Sequence, residues 1–415
     1  MAVVIYGRDS RTYRVILQDG NTAGAKMMKQ HVDRDRFEAI AGETTRKSAL
    51  YADSACFPAA AAFALVAVPL WLAAFSGWIA VPSRYWHAHE MLFGYTLMVL
   101  AGYLVARISR GTLLLLVTLW LAARVAAFMG GAGSALAITL DLAFVFGVTA
   151  PTAWRFLRAA KKVQNRVFAP LLLAIFGCDA VYQLGALTGS PGLQFGALLG
   201  AVDLYASLLV LMGGRVLPAA IAGHYYRAGR VLEVRVQPAL EKLVIVCLGA
   251  MLALDLFPNA RPFAGMFAIA AALITAIRAT RWRLWTVLDQ PHLWPLGLGY
   301  FWLVPGLALK GCAQIWGGAA LGSALHAITI GAVGTLTLVM MARTRLQRSR
   351  RPLRRFGDIA VAALLLSGAA VLRIVFPAAG VYSMPVLWTA GVLWVLAFGL
   401  LLRRLVMTAR AFATS

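Results

Sequence analysis

Charge is what this chain has least of. Only 13% of its 415 residues are charged, against about 25% in soluble domains. Acidic residues are scarcer still, with 16 Asp and Glu against 39 Lys and Arg. Four cysteines, Cys56, Cys178, Cys247 and Cys312, stand far apart in or beside apolar stretches, which excludes a disulfide framework and a zinc-ligand pattern and leaves them as packing residues. Histidine is also rare, at six. Apolar residues, by contrast, make up 61%, and mean hydropathy is +0.76. A soluble protein of this length cannot hide that much apolar surface. Long unbroken runs such as residues 57–80 lack the period-two alternation of a membrane β-barrel. The composition therefore points to an all-α, polytopic membrane protein.

Residues 1–50 differ from the rest, being polar and mixed in charge, with no apolar run of the signal-peptide kind. They read as a cytoplasmic tail with a hairpin turn at Gln18-Asp19-Gly20-Asn21 and a solvent-exposed His31. The remaining residues, 51–415, form the membrane domain. Its twelve apolar segments fall at 57–80, 87–107, 111–129, 132–154, 167–188, 192–218, 239–257, 260–279, 292–311, 317–343, 356–377 and 385–405. With both termini in the cytoplasm, nearly every Lys and Arg lies on the cytoplasmic side. Arg84, Arg261, Lys310 and Arg373 fall outside, and Arg124 lies within a span. That asymmetry supports twelve spans with both termini in the cytoplasm. The net charge of +23 is then a matter of topology and contact with the lipid bilayer, not of nucleic acid.

The histidines carry most of the chemical information. His31, His224 and His292 are expected on the cytoplasmic side, which leaves His87, His89 and His326 in the outer half of the bilayer. If the tenth helix starts at Gly317, His326 lies roughly 13 Å deep at about 1.5 Å per residue. At 100° per residue, His87 and His89 point about 200° apart, so a regular helix cannot turn both to one metal ion. The His87 stripe runs through Met91, Gly94, Met98, Ala101 and Val105, and small residues Gly331 and Gly334 follow His326. Such histidines either hydrogen-bond between helices or act as ligands, and three at similar depth favour ligands. Arg124 and Asp141, on helices joined by a short turn, are natural ion-pair partners. Asp179 and Asp203 also lie within spans, near Tyr182 and Tyr205.

Two blocks give this chain a family likeness. WHAHEMLFGY at 86–95 with AGYL at 101–104, and ALHAITIGAVG at 324–334 running on to Arg351-Pro352-Leu353, resemble the signature of the NnrS family. Gly214-Arg215-Val216-Leu217-Pro218 and Leu298-Gly299-Tyr300 match weaker landmarks, while Gly297 stands where the family usually has His. The resemblance spans roughly residues 57–405. It implies a twelve-helix membrane protein that binds haem and copper and takes part in the nitric oxide response of denitrifying and related bacteria. Its small ligand would be nitric oxide or something similar. A looser likeness to the main subunit of haem–copper oxidases, which hold a haem between helices 2 and 10, puts the axial ligands among His87, His89 and His326. Helices 6 and 7 lack the copper histidines of those oxidases, so a binuclear centre is not expected. His87 with Met91 forms the candidate copper pair, with Glu90, Gly94, Gly331 and Gly334 in support. A secondary transporter without cofactor is the alternative reading; no repeat between the halves favours it.

Overall fold

The computed structural model describes residues 3–6, 13–16, 50–80, 85–105, 107–131, 133–159, 167–234, 236–317, 320–349, 356–378 and 383–413. It divides into two compact units, Met1–Ala49 and Leu50–Ser415. In the first, β1 (Val3–Tyr6) pairs antiparallel with β2 (Tyr13–Ile16), Val3 opposite Ile16 and Tyr6 opposite Tyr13. The turn expected at 18–21 and His31 lie outside the described residues.

The second unit is a helical bundle. In chain order its helices are α1 (Asp53–Phe75), α2 (residues 86–104), α3 (Arg110–Gly130), α4 (Ala135–Ala159), α5 (Phe168–Leu187) and α6 (Pro191–Arg227). Then come α7 (Pro238–Asp255), α8 (Arg261–Arg281), α9 (Trp294–Trp316), α10 (residues 320–348), α11 (Gly357–Ala378) and α12 (Met384–Ala413). A two-residue ladder, β3 (Leu50–Tyr51) with β4 (Arg107–Ile108), ties the start of α1 to the link after α2. Helix starts follow local chemistry. Pro191 and Pro238 open α6 and α7, where the missing N–H costs nothing. The Ser109 hydroxyl accepts the Thr112 N–H at 3.1 Å and caps α3.

Among the described residues, ten helices are long and apolar enough to cross a membrane. The other two, α2 and α7, sit at the positions expected for the second and seventh spans. Helix α2 is less apolar because it carries His87, His89 and Glu90, and α7, though apolar, carries three charged residues, Glu241, Lys242 and Asp255. Cys56 and Cys247 are buried and all four cysteines are free thiols, as packing residues should be.

Three sequence expectations need correction. Helix α6 does not stop at 218 but runs through Pro218 to Arg227. A buried proline deletes one backbone bond, and packing on both sides carries the helix through. Gly317, at a φ of 73°, ends α9 instead of starting the next helix. Helix α10 therefore begins at Ala320, and His326 lies six residues in, about 9 Å along the axis. Finally, Lys310 is not in an outer loop. It sits inside α9 with no exposed surface, its Nζ 2.7 Å from Asp203 Oδ1 on α6 and 2.6 Å from Asp255 Oδ2 on α7. Gln314, one turn on, donates its amide to Asp255 Oδ1 at 2.5 Å.

Candidate functional site

The two helices that carry His87, His89 and His326 change winding directly after His89 and His326. In α2 the segment Glu90–Thr96 is π-helical, directly after His89; in α10 the segment Ala327–Gly334 is π-helical, directly after His326. The Thr96 hydroxyl donates to the Met91 carbonyl five residues back, at 2.7 Å. π-Turns inside helices concentrate at functional sites. They also alter which residues share a face. His87, Met91, Tyr95 and Thr96 line one cavity, whereas an unbroken α-helix would have put Gly94 on that stripe.

That cavity has a volume of about 280 Å³. Helix α2 contributes His87 and Met91; α10 contributes His326 and Thr329; α1, α6 and α12 supply Trp71, Leu198 and Trp394; and Arg373 of α11 lies at its edge. The Tyr95 and Thr337 hydroxyls, 2.5 Å apart, join α2 to α10, and the Trp394 indole donates to the Ala64 carbonyl at 3.0 Å, closing α12 on α1. The walls are chiefly aliphatic and aromatic, and the two imidazoles and the Arg373 guanidinium are the main polar groups.

Each imidazole is held. His326 Nδ1 lies 2.6 Å from the Gly322 carbonyl, which puts the proton on Nδ1 and makes Nε2 an acceptor. Arg373 Nη2 donates to that Nε2 at 3.3 Å, so a ligand on Nε2 takes the place of this hydrogen bond. The His87 ring lies 4.5 Å from the Trp71 ring, tilted by 32°, and its buried Nδ1 has no hydrogen-bond partner among the described residues.

His89 points the other way, as the 200° argument requires, and is absent from this cavity. Its Nε2 is 3.0 Å from Asp179 Oδ1 on α5 and 3.1 Å from Asp141 Oδ2 on α4. Its Nδ1 is 3.3 Å from Glu90 Oε1, and its ring stacks on Tyr182 at 4.2 Å. Arg124 closes the cluster, with Nε 3.1 Å from Glu90 Oε2 and Nη1 2.8 Å from Asp141 Oδ1, the ion pair expected from sequence. Gln183 donates to Asp141 Oδ2 at 2.8 Å. His89, Asp141 and Asp179 are all buried.

The supporting residues divide between the two sites. Glu90 belongs to the His89 cluster. Gly94 serves it too: a Cβ there would fall 2.7 Å from Glu90 Oε2 and 2.9 Å from the Phe63 ring. Its role is to admit the Glu90–Arg124 pair, not to border the cavity. Gly331 admits the Trp302 ring, 2.5 Å from where its Cβ would stand, and Gly334 packs against the cavity-lining Trp394. Sequence reasoning counts Arg373 only as an outer-face cation, and does not single out Gln183 or Asp255. The one signal available is that a polar side chain in an apolar run needs a partner. Among the remaining histidines, His292 lies outside the spans; burial, with Arg343 and Arg227 nearby, pushes its imidazole down to about 4, so it is neutral at pH 7.

Fold and sites together define a polytopic helical membrane protein whose second helix separates two polar centres, one cavity-lining and one a closed ionic cluster. The NnrS family model, described as NnrS protein, matches residues 55–410, and the chain belongs to this family, whose members are associated with the nitric oxide response. The search of curated proteins found no match.

Proposed function

We propose that this chain binds haem in the outer half of the bacterial inner membrane and serves the nitric oxide response, and that His87 and His326 would hold its iron. One observation carries this reading: imidazoles from α2 and α10 line the same largely apolar cavity, while His89 does not. The donors suit iron. His326 has its proton fixed on Nδ1 by Gly322, the usual way a ligating imidazole is oriented, and His87 has a buried nitrogen with no hydrogen-bond partner among the described residues. Arg373 donates to His326 Nε2, so iron bound at that nitrogen would displace this hydrogen bond. Bound there, haem would supply a redox-active iron able to exchange an electron or respond to nitric oxide.

The chain's own residues bind and orient. Trp71 buttresses the His87 ring, Trp394 and Leu198 wall the cavity against water, and the Tyr95–Thr337 contact holds α2 and α10 together. Met91 lines the same cavity, which keeps it beside His87 as the candidate copper pair. His87 cannot serve iron and copper together, and this reading gives it to iron. Protein purified after expression with ample haem should show a Soret band; a folded protein without one refutes the proposal.

We place all twelve helices across the membrane with both termini in the cytoplasm. A periplasm-active reporter fused after Arg84 should give signal, and one fused after Lys161 or Arg350 should not. The reverse pattern would overturn this orientation.

A further inference from the structure

We propose that His89, Asp141 and Asp179 form a binding site for one divalent metal cation, separate from the cavity that holds His87 and His326. This does not rest on the haem reading.

Three helices bring the donors together: α2 with His89, α4 with Asp141 and α5 with Asp179. One ligand atom from each lies within 4.8 Å of the other two, and all three residues are buried. The imidazole is presented as metal-bound imidazoles are. Its Nδ1 faces the Glu90 carboxylate, and its Nε2 faces the two aspartates. Glu90 is in turn held by Arg124, which also grips Asp141, so the outer contacts fix both a carboxylate and the histidine.

Charge balance points the same way. Glu90, Asp141 and Asp179 bring three negative charges into the bundle, and Arg124 brings one positive charge. With a neutral His89 the cluster lacks two positive charges. A net buried charge of that size is costly in a membrane, and one divalent cation cancels it. Metal binding to Nε2 leaves the imidazole proton on Nδ1, where Glu90 accepts it.

Two further features point to a bound ion. Asp179 has no exposed surface, yet its Oδ2 has no hydrogen-bond partner among the described residues. Beside the cluster lies a cavity of about 20 Å³, bordered by His89, Asp141, Gln183 and Trp86, room for roughly one water. Three protein ligands plus one water complete a four-coordinate site. One imidazole with two carboxylates is a hard donor set that suits manganese(II), iron(II) or zinc(II) and not copper(I).

The test uses full-length protein in detergent, stripped with chelator and titrated with manganese(II) or zinc(II). Manganese is followed by electron paramagnetic resonance and zinc by elemental analysis. We expect one ion per chain. Asp179→Asn should weaken binding by more than the roughly 100-fold that loss of an outer contact costs, while His87→Ala and His326→Ala should leave it intact. Gel filtration and helical circular dichroism check each variant, and His89→Gln stands in if Asp179→Asn misfolds. Bound manganese should also show coupling to one imidazole nitrogen, a readout that needs no variant. Wild-type protein that binds neither ion, equal binding by the folded variants, or manganese without nitrogen coupling would overturn the proposal. Neutralisation of the cluster by two protons would then be the remaining answer. A missing Soret band alone would sink the haem reading and leave this one standing.

Discussion

Replacing His326 with Ala is expected to remove haem from the purified protein while leaving the bundle folded. His326 is the only histidine on α10, so no neighbour can replace it. Alanine has high helix propensity, and the side chain's own contacts are few: one backbone carbonyl and one guanidinium. His87→Ala is expected to do the same, since its ring meets Trp71 and the cavity. His89→Ala should behave oppositely. It keeps haem, because the ring faces away from the cavity, but it loses stability, because Asp141 and Asp179 are left facing each other without the imidazole between them. Haem content per chain, read from the Soret band of each variant at matched purity, checks all three. Loss of haem in His89→Ala alone would reverse the assignment, and full haem in every variant would make these histidines packing residues.

Lys310→Met should cost more stability than any of the three histidine changes. The lysine has no exposed surface and joins Asp203 of α6 to Asp255 of α7. Removing one partner of a buried ionic group strands the others, at a cost of about 3–5 kcal/mol. Thermal unfolding in detergent should show a clear drop in Tm. Combining the change with Asp203→Asn and Asp255→Asn should restore much of the loss, because no uncompensated charge then remains. A single variant as stable as the wild type would show that the three charges are solvated or neutral and that the network is not structural.

How much of this is legible in the sequence follows from the range of each interaction. Apolar runs alone locate every helix, because a bilayer span is a local property of about 20 residues. The Arg124–Asp141 pair is legible too, since a short turn joins α3 to α4. The opposed directions of His87 and His89 need only the helical period. The stripe beyond them goes wrong at Gly94, because the π-turn at Glu90–Thr96 departs from that period and nothing in the residue types marks it. Helix ends go wrong where a breaker is taken at face value: Pro218 is inside α6, and Gly317 precedes α10 instead of starting it. The charge of Lys310 suggests a loop, whereas its partners come from two distant helices. The meeting of His89 with Asp141 and Asp179 has the same character. It depends on three helices packing side by side, which no local pattern encodes.

The measurement that bears most directly on bis-histidine haem ligation is the electron paramagnetic resonance spectrum of oxidised wild-type protein, purified with its haem. It should show one low-spin ferric haem per chain with two imidazole ligands, converted or lost in His87→Ala and in His326→Ala but unchanged in His89→Ala. A folded protein that carries no haem, or whose ferric iron keeps both imidazoles when either His87 or His326 is removed, would contradict it.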